Sequence, residues 1–225
     1  MKYISWAFFI FSIQGSSAFA LDPYVNDPRV IVTECFNNGV TALREKAFDR
    51  AEEQLSCALV NAREYLDKAD FITKKFSTTI NQEKLVEILH YYALANENLC
   101  RWPDAESALI DGVNESKKLT GSYPRELPSL IQLAQFYFDR GEYEKSLAVY
   151  DETRKSGEAF FIKNDPIGYA LLLEDQSTAL EKSNKSDLAK ISKEKASKLR
   201  QEYSDKKPIL LKEKGTYIPI PENCK

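Results

Sequence analysis

One histidine, four cysteines and 34 acidic residues are most of what this chain could use to make or break bonds, and the counts already narrow its chemistry. A zinc site built on several imidazoles cannot be assembled from His90 alone, and any serine or cysteine nucleophile would depend on that same residue as its base. No glycine-rich phosphate loop and no Cys-x-x-Cys is present. Carboxylate pairs such as Glu52-Glu53 or Glu142-Glu144 arise anywhere in so acidic a chain, so they carry no specific signal for glycoside hydrolysis. No catalytic residue, no metal ligand and no cofactor is expected. A formal net charge of −3 argues against sequence-independent binding of nucleic acid, which needs a basic face. The lysine-rich stretch 190–198 also contains Glu194 and reads as a solvated helix face.

The elements that position these residues are helices. The composition is that of a helical globular chain, 43% hydrophobic and 29% charged with 8 Gly and 9 Pro. The clearest unit runs from Leu127 to Tyr150. Leu130, Leu133, Ala134 and Tyr137 form one stripe of a first helix, Gly141 breaks it, and Tyr143, Ser146, Leu147 and Tyr150 share a face of a second. The small pair Ala134 and Ser146 lets two backbones approach, with Tyr137 and Tyr150 filling the volume at either side. Leu133-Ala134, Tyr137, Gly141, Tyr143, Ser146 and Tyr150 together resemble the tetratricopeptide repeat. The departures are Ser146 and Thr153 where that family usually has Ala, and no Pro after the second helix.

The resemblance implies an all-α, right-handed α-solenoid of antiparallel helix hairpins, because one hairpin cannot bury both its faces. Aligning on the small residue of each first helix gives Gly39, Ala93, Ala134 and Ser177, at intervals of 54, 41 and 43 residues. These exceed the usual period of about 34 and are closer to the extended repeats of kinesin light chains. The units fall near 30–76, 79–118, 126–157 and 165–204, the last a polar cap. In the first, Leu55, Leu59, Ala62, Leu66, Ala69, Ile72 and Phe76 keep helical steps, so its second helix is expected to overrun. Thr79 and Gln82 are spaced as a capping box for the next helix.

The resemblance also implies that first helices line a concave groove. Its offsets place there Arg44, then His90, Leu94, Glu97 and Asn98, then Ile131, Gln135, Phe138 and Asp139, and finally Glu174 and Thr178. His90 is thus expected to line the groove rather than enter the core. Phe138 either fills a contact between units or anchors a partner peptide. The family's clamp for a C-terminal carboxylate is not supported, since Phe36 and Val40 stand at those offsets.

Met1-Lys2, the apolar run Tyr3 to Ile13 and Ala18-Phe19-Ala20 before Leu21 describe a cleaved signal peptide over residues 1–20. Export follows, periplasmic or secreted, with no transmembrane segment expected in the mature chain. Cys35, Cys57, Cys100 and Cys224 then reach an oxidising compartment as an even set with three possible pairings. Reflecting the first hairpin about Lys46 and Ala47 brings Cys35 level with Cys57. The extended tail 205–225 has about 20 residues, a reach of roughly 66 Å, enough to return Cys224 to Cys100. Free thiols at Cys35 or Cys57, and an unpaired or intermolecular Cys224, stay open. The expected function is an exported, non-catalytic scaffold that binds a protein or peptide. A small-solute-binding component, a structural subunit of an envelope assembly and a carboxylate-dependent hydrolase are the alternatives.

Overall fold

The computed structural model describes residues 27–69, 80–119, 121, 124–209 and 224. The expected leader, Ile72, Phe76, Thr79 and the apolar tail segment 217–221 lie outside them. Among the described residues eight α-helices follow one another: α1 (Pro28–Arg44), α2 (Phe48–Lys68), α3 (Gln82–Asn98), α4 (Trp102–Ser116), α5 (Leu127–Asp139), α6 (Tyr143–Asn164), α7 (Pro166–Lys182) and α8 (Ser186–Glu202). Among the described residues there is no strand, and no helix is long and apolar enough to cross a membrane.

The helices pair as hairpins because the same turn occurs four times. Lys46, Cys100, Gly141 and Asn184 each have φ between 58 and 73° and each lies two residues past the end of a first helix. The amide of each donates to the carbonyl three residues back, from Lys46 to Leu43, Cys100 to Glu97, Gly141 to Phe138 and Asn184 to Glu181, at 2.9–3.2 Å. The next amide reaches five back, as from Ala47 to Ala42 and Glu142 to Tyr137, both 2.9 Å. These bonds satisfy carbonyls that a helix end leaves open and reverse the chain within a few residues. The four left-handed residues are 54, 41 and 43 positions apart, the same intervals as the small residues of the first helices. Second helices start directly out of the turn and have no side-chain cap. Most first helices do have one: Asp27 accepts from the Arg29 amide, Asn81 from Lys84 and Asp165 from Gly168.

Two expectations for the first junction change. The second helix of the first hairpin does not continue through Ala69, which is extended at φ −73° and ψ 147°. The expected overrun is present as far as Lys68, since the 21 residues of α2 bury Leu55, Leu59, Ala62 and Leu66. The cap of α3 is Asn81, whose extended backbone aims its side chain at the Lys84 amide 2.8 Å away, rather than Thr79.

Small residues set the closeness of each crossing. A Cβ added at Gly39 would lie 2.6 Å from Leu55 Cγ, so α1 and α2 meet at a distance only glycine allows. Ala93 and Ala105 are fully buried between α3 and α4. Ser146 Oγ donates to the Ala134 carbonyl at 2.8 Å between α5 and α6, so the serine satisfies its own hydroxyl at the contact. Helix α5 faces both ways. Its Leu130, Leu133, Phe136 and Tyr137 join the core that runs back to α1, while Leu127, Ile131 and Ala134 join the core shared with α6 to α8.

Polar clasps tie successive hairpins together. Glu106 on α4 accepts from Tyr137 Oη on α5 at 2.8 Å and from Lys145 Nζ on α6 at 3.3 Å. Glu158 on α6 does the same with Tyr169 Oη on α7 at 2.7 Å and Lys195 Nζ on α8 at 2.8 Å. The first junction has a variant in which Glu52 on α2 pairs with Arg101 at 3.0 Å, and the Tyr92 phenol on α3 is raised by burial first and then by the charge of Glu52. Two disulfides complete the frame. Cys35–Cys57 joins α1 to α2 with Cα atoms 6.0 Å apart, and Cys100–Cys224 ties the second turn to the C-terminal end at 5.3 Å. Both Cα separations are ordinary for the bond.

Replacing Gly141 with Ala should cost about 1 kcal/mol, because its surroundings leave room for a Cβ and only the left-handed backbone resists it. Lys46→Gly should gain a similar amount, so the melting temperatures of the two variants should move in opposite directions. Ala134→Leu, which overpacks the α5/α6 crossing, should cost about 1–3 kcal/mol. A parental melt for all three would place neither the turns nor the crossing where they are described.

Candidate functional site

The first helices α1, α3, α5 and α7 carry every residue expected to line the groove, and the structure sorts these into three groups. Some are absorbed by packing. Ile131 is buried in the second core, Leu94 packs on the first, and Phe138 rests on the second with its ring edge-on to Tyr143 at 5.5 Å. Asn98 is buried and donates through Nδ2 to the Leu94 carbonyl at 2.8 Å. Others turn toward a neighbouring helix. Glu174 grips Arg200 of α8 with both oxygens at 2.5 and 2.7 Å, and exposed Thr178 donates to the Glu174 carbonyl at 3.0 Å. Arg44 is exposed at the end of α1, and Gln135 is half-buried on α5.

His90 differs from its expected place. Its Nε2 lies 3.0 Å from Ser129 Oγ at the start of α5, and its ring abuts Gly112 of α4, where an added Cβ would lie 3.2 Å from the imidazole. The missing side chain of Gly112 and the hydroxyl of Ser129 make a niche between hairpins, so the ring seals a junction. Burial pushes the imidazole down to about 4, and it is uncharged at neutral pH.

The third group is a row of oxygen functions. Glu97, near the end of α3, is 7% exposed, and among the described residues no hydrogen bond or ion pair reaches its carboxyl group. Burial, and then the charge of Asp139 across on α5, push it up to about 8. Asp139 in turn faces Tyr150, whose phenol on α6 is raised by burial first and then by Asp175 of α7 and by Asp139. Tyr150 is 1% exposed, and no hydrogen bond engages its hydroxyl. Three consecutive first helices thus carry one carboxyl group each, Glu97, Asp139 and Asp175, and the charges of the last two both act on the Tyr150 phenol. Cys224 Sγ lies 3.9 Å from the Glu97 carbonyl, so the second disulfide stands at one end of the row.

Glu97 and Asp139 were legible as groove residues from spacing; Tyr150 and Asp175 were not. Tyr150 was assigned to the core stripe, and its ring does sit there; only the hydroxyl at its tip reaches the row. Asp175 follows Glu174, and the one-residue step between them separates the side facing α8 from the side facing α6. Among the described residues no group of three or more His, Cys, Asp or Glu is arranged to hold a metal ion.

Solved structures share this architecture. BtubC (BKLC) from P. vanneervenii aligns with a TM-score of 0.65 at 14% identity, over 85% of this chain and 72% of that one. MamA aligns with a TM-score of 0.54 at 18% identity, over 78% and 81% of the two chains. The fold is that of a tetratricopeptide-like repeat solenoid. A putative kinesin light chain from Podosopora anserina, with nearly identical TPR-like repeats, gives 0.47 at 15% identity over 79% and 98%. No family model matches the sequence, and no curated protein matches it significantly.

Two buried groups give the stability of this solenoid opposite pH slopes. His90, lowered from 6.5 to about 4, leaves the folded state with fewer protons than the unfolded one, so its contribution is lost as pH falls from about 6.5 through 4. Glu97, raised from 4.5 to about 8, makes the folded state hold an extra proton. Its contribution is full below about 4.5 and lost as pH rises through 8. Over the whole window this is on the order of 3 kcal/mol for His90 and on the order of 5 kcal/mol for Glu97. Denaturant titrations from pH 4 to pH 9 should show His90→Gln flattening the acid side and Glu97→Gln flattening the alkaline side. Unchanged slopes in both variants would mean that neither group is held as described.

Proposed function

We propose that this protein is an exported, non-catalytic scaffold that takes a protein or peptide partner on the concave face made by its first helices. A repeat fold of this kind is typical of protein-interaction scaffolds. The observation that carries the reading is a pair of buried polar side chains, Glu97 on α3 and Tyr150 on α6, which have no hydrogen-bond partner among the described residues. Buried polar groups in folded proteins nearly always have partners, so such a pair is ready for one from outside. The absence of catalysis is supported by the sole histidine being engaged in a junction between hairpins.

Export is supported by the two disulfides, one of which closes a loop of 124 residues. Such bonds persist in oxidising compartments and are rare in reducing ones. The chain would then work in a periplasm or outside the cell.

A photo-reactive residue at position 135 tests the binding reading. Gln135 is half-buried on α5, one helical turn before Asp139, whereas Phe138→Ala would also disturb the packing on Tyr143. Cross-linking in the envelope or secreted fraction should yield one stoichiometric adduct from position 135 and none from Val60, which is exposed on α2. Equal labelling from both positions, or none from either, would remove the concave face as the partner site.

A further inference from the structure

We propose that the outer face of α8 is a self-association surface, on which a second copy of this chain docks through its own α8, antiparallel about a two-fold axis. Ala189 and Ala196, seven residues apart, are the buried side of this helix, and the stripe opposite them reads Asp187, Ile191, Glu194 and Lys198. Its steps of four, three and four residues are those of a seam between two helices. Ile191 is 60% exposed, and Leu188 on the flank of the stripe is 54% exposed. At the other end of the stack, among the described residues, no large apolar side chain of α1 is exposed. Like ends therefore match better than unlike ones, and a like pair closes on itself instead of growing.

Charge singles out a second copy as the occupant. Bases on the flanks of α8 are answered within the chain: Lys193 by Glu181 at 2.6 Å, Lys195 by Glu158 at 2.8 Å and Arg200 by Glu174 at 2.5 Å. Among the described residues no ion pair reaches Asp187, Lys190, Glu194 or Lys198, all of them exposed. Lys190 and Glu194 stand four apart but in the base-then-acid order, the weaker one for a pair within a helix. Set against its own copy in reverse, the same stripe is complementary. The point half-way between Asp187 and Lys198 falls between Ser192 and Lys193, and the point half-way between Lys190 and Glu194 falls on Ser192. One antiparallel register therefore brings Asp187 to Lys198 of the second copy and Glu194 to its Lys190, each twice by symmetry, with the two Ile191 side chains between them. A partner of uniform charge would leave one sign of these groups unanswered. A helix of 17 residues is about 25 Å long, and one such crossing buries less than the roughly 800 Å² per partner of a standard interface, so the dimer is weak and reversible.

Sedimentation equilibrium on the full, disulfide-intact chain, across the micromolar range, should show monomer passing into dimer as concentration rises. Lys198→Glu and Asp187→Lys should each weaken the dimer at least tenfold, since each sets like charges together twice, and Ile191→Glu should abolish it. Melting temperatures of all three, taken where the parent is monomeric, should stay near the parent's because these side chains are exposed. An equimolar mixture of Lys198→Glu and Asp187→Lys chains should dimerise again, and so should both exchanges placed in one chain. Val60→Ser, an exposed change on α2, should have no effect. A parent that stays monomeric throughout, or a dimer that survives both Ile191→Glu and Lys198→Glu, would overturn the proposal. So would a loss that neither the mixture nor the double exchange restores. Binding of a monomeric parent to phosphatidylglycerol vesicles, abolished by Ile191→Glu, would assign the face to an anionic membrane and overturn it as well.

Discussion

A helix hairpin has two apolar sides and can close only one of them on itself, and every larger feature of this molecule follows from that shortage. Helix α5 shows it most directly. Thirteen residues long, it sends Leu130, Leu133 and Phe136 into one core and Leu127, Ile131 and Ala134 into the other. Removing the neighbours on either side would expose a full stripe of large apolar side chains, at roughly 25 cal/mol for each Å² returned to water. Stability is therefore shared between adjacent hairpins rather than held within one, as expected of a quasi-linear repeat array. The end of the array pays least attention to this rule. On α8 only Ala189 and Ala196 are buried, Ser192 and Leu199 are half-buried, and the rest of the helix is exposed.

The recurring turn gives the stack its regularity without giving it a regular length. Lys46, Cys100, Gly141 and Asn184 adopt one geometry, yet only one of them is the glycine that this geometry favours. An isolated non-glycine residue in the left-handed region is tolerated when its surroundings over-determine it, and here two hairpin helices packed at a close crossing do so. Variation falls on helix length and on the links between hairpins, with 21 and 22 residues in α2 and α6 against 15 in α4, while the turns stay alike.

That division explains what could be read from the sequence. The small residue of each first helix and the turn after it are a fixed distance apart, so Gly39, Ala93, Ala134 and Ser177 give the true intervals although only Gly141 announces a turn. The hairpin reflection that pairs Cys35 with Cys57 depends on the same fixed distance. The links were harder. Ala69 continues an apolar period of three and four residues but is extended, because periodicity records which side chains are apolar and does not record where backbone hydrogen bonding stops. Asn81 was passed over as a cap because Thr79 and Gln82 also match a capping pattern, and two residues of shift are invisible to spacing alone. The row on the first helices was half visible for a related reason. Helical offsets locate a Cβ, so they found Glu97 and Asp139. They cannot follow a long side chain to its end, and they left Tyr150 in the core, His90 in the groove and Asp175 unremarked.

The carboxyl groups themselves divide along the same lines as the packing. Those on second helices at the junctions, Glu52, Glu106 and Glu158, meet a tyrosine or a base from the following hairpin, and burial there is offset by charge-assisted hydrogen bonds. Lys145 and Lys195 also lie over the rings of the tyrosines in the same clasps, at 4.9 and 4.7 Å, so one cation serves a carboxylate and an aromatic face together. These groups hold the stack. Glu97 has the opposite environment, with depth but no base, and it answers the cost by keeping its proton at neutral pH. Junction carboxylates and Glu97 thus meet burial in two different ways, the first by pairing with a cation from the next hairpin and the second by staying neutral.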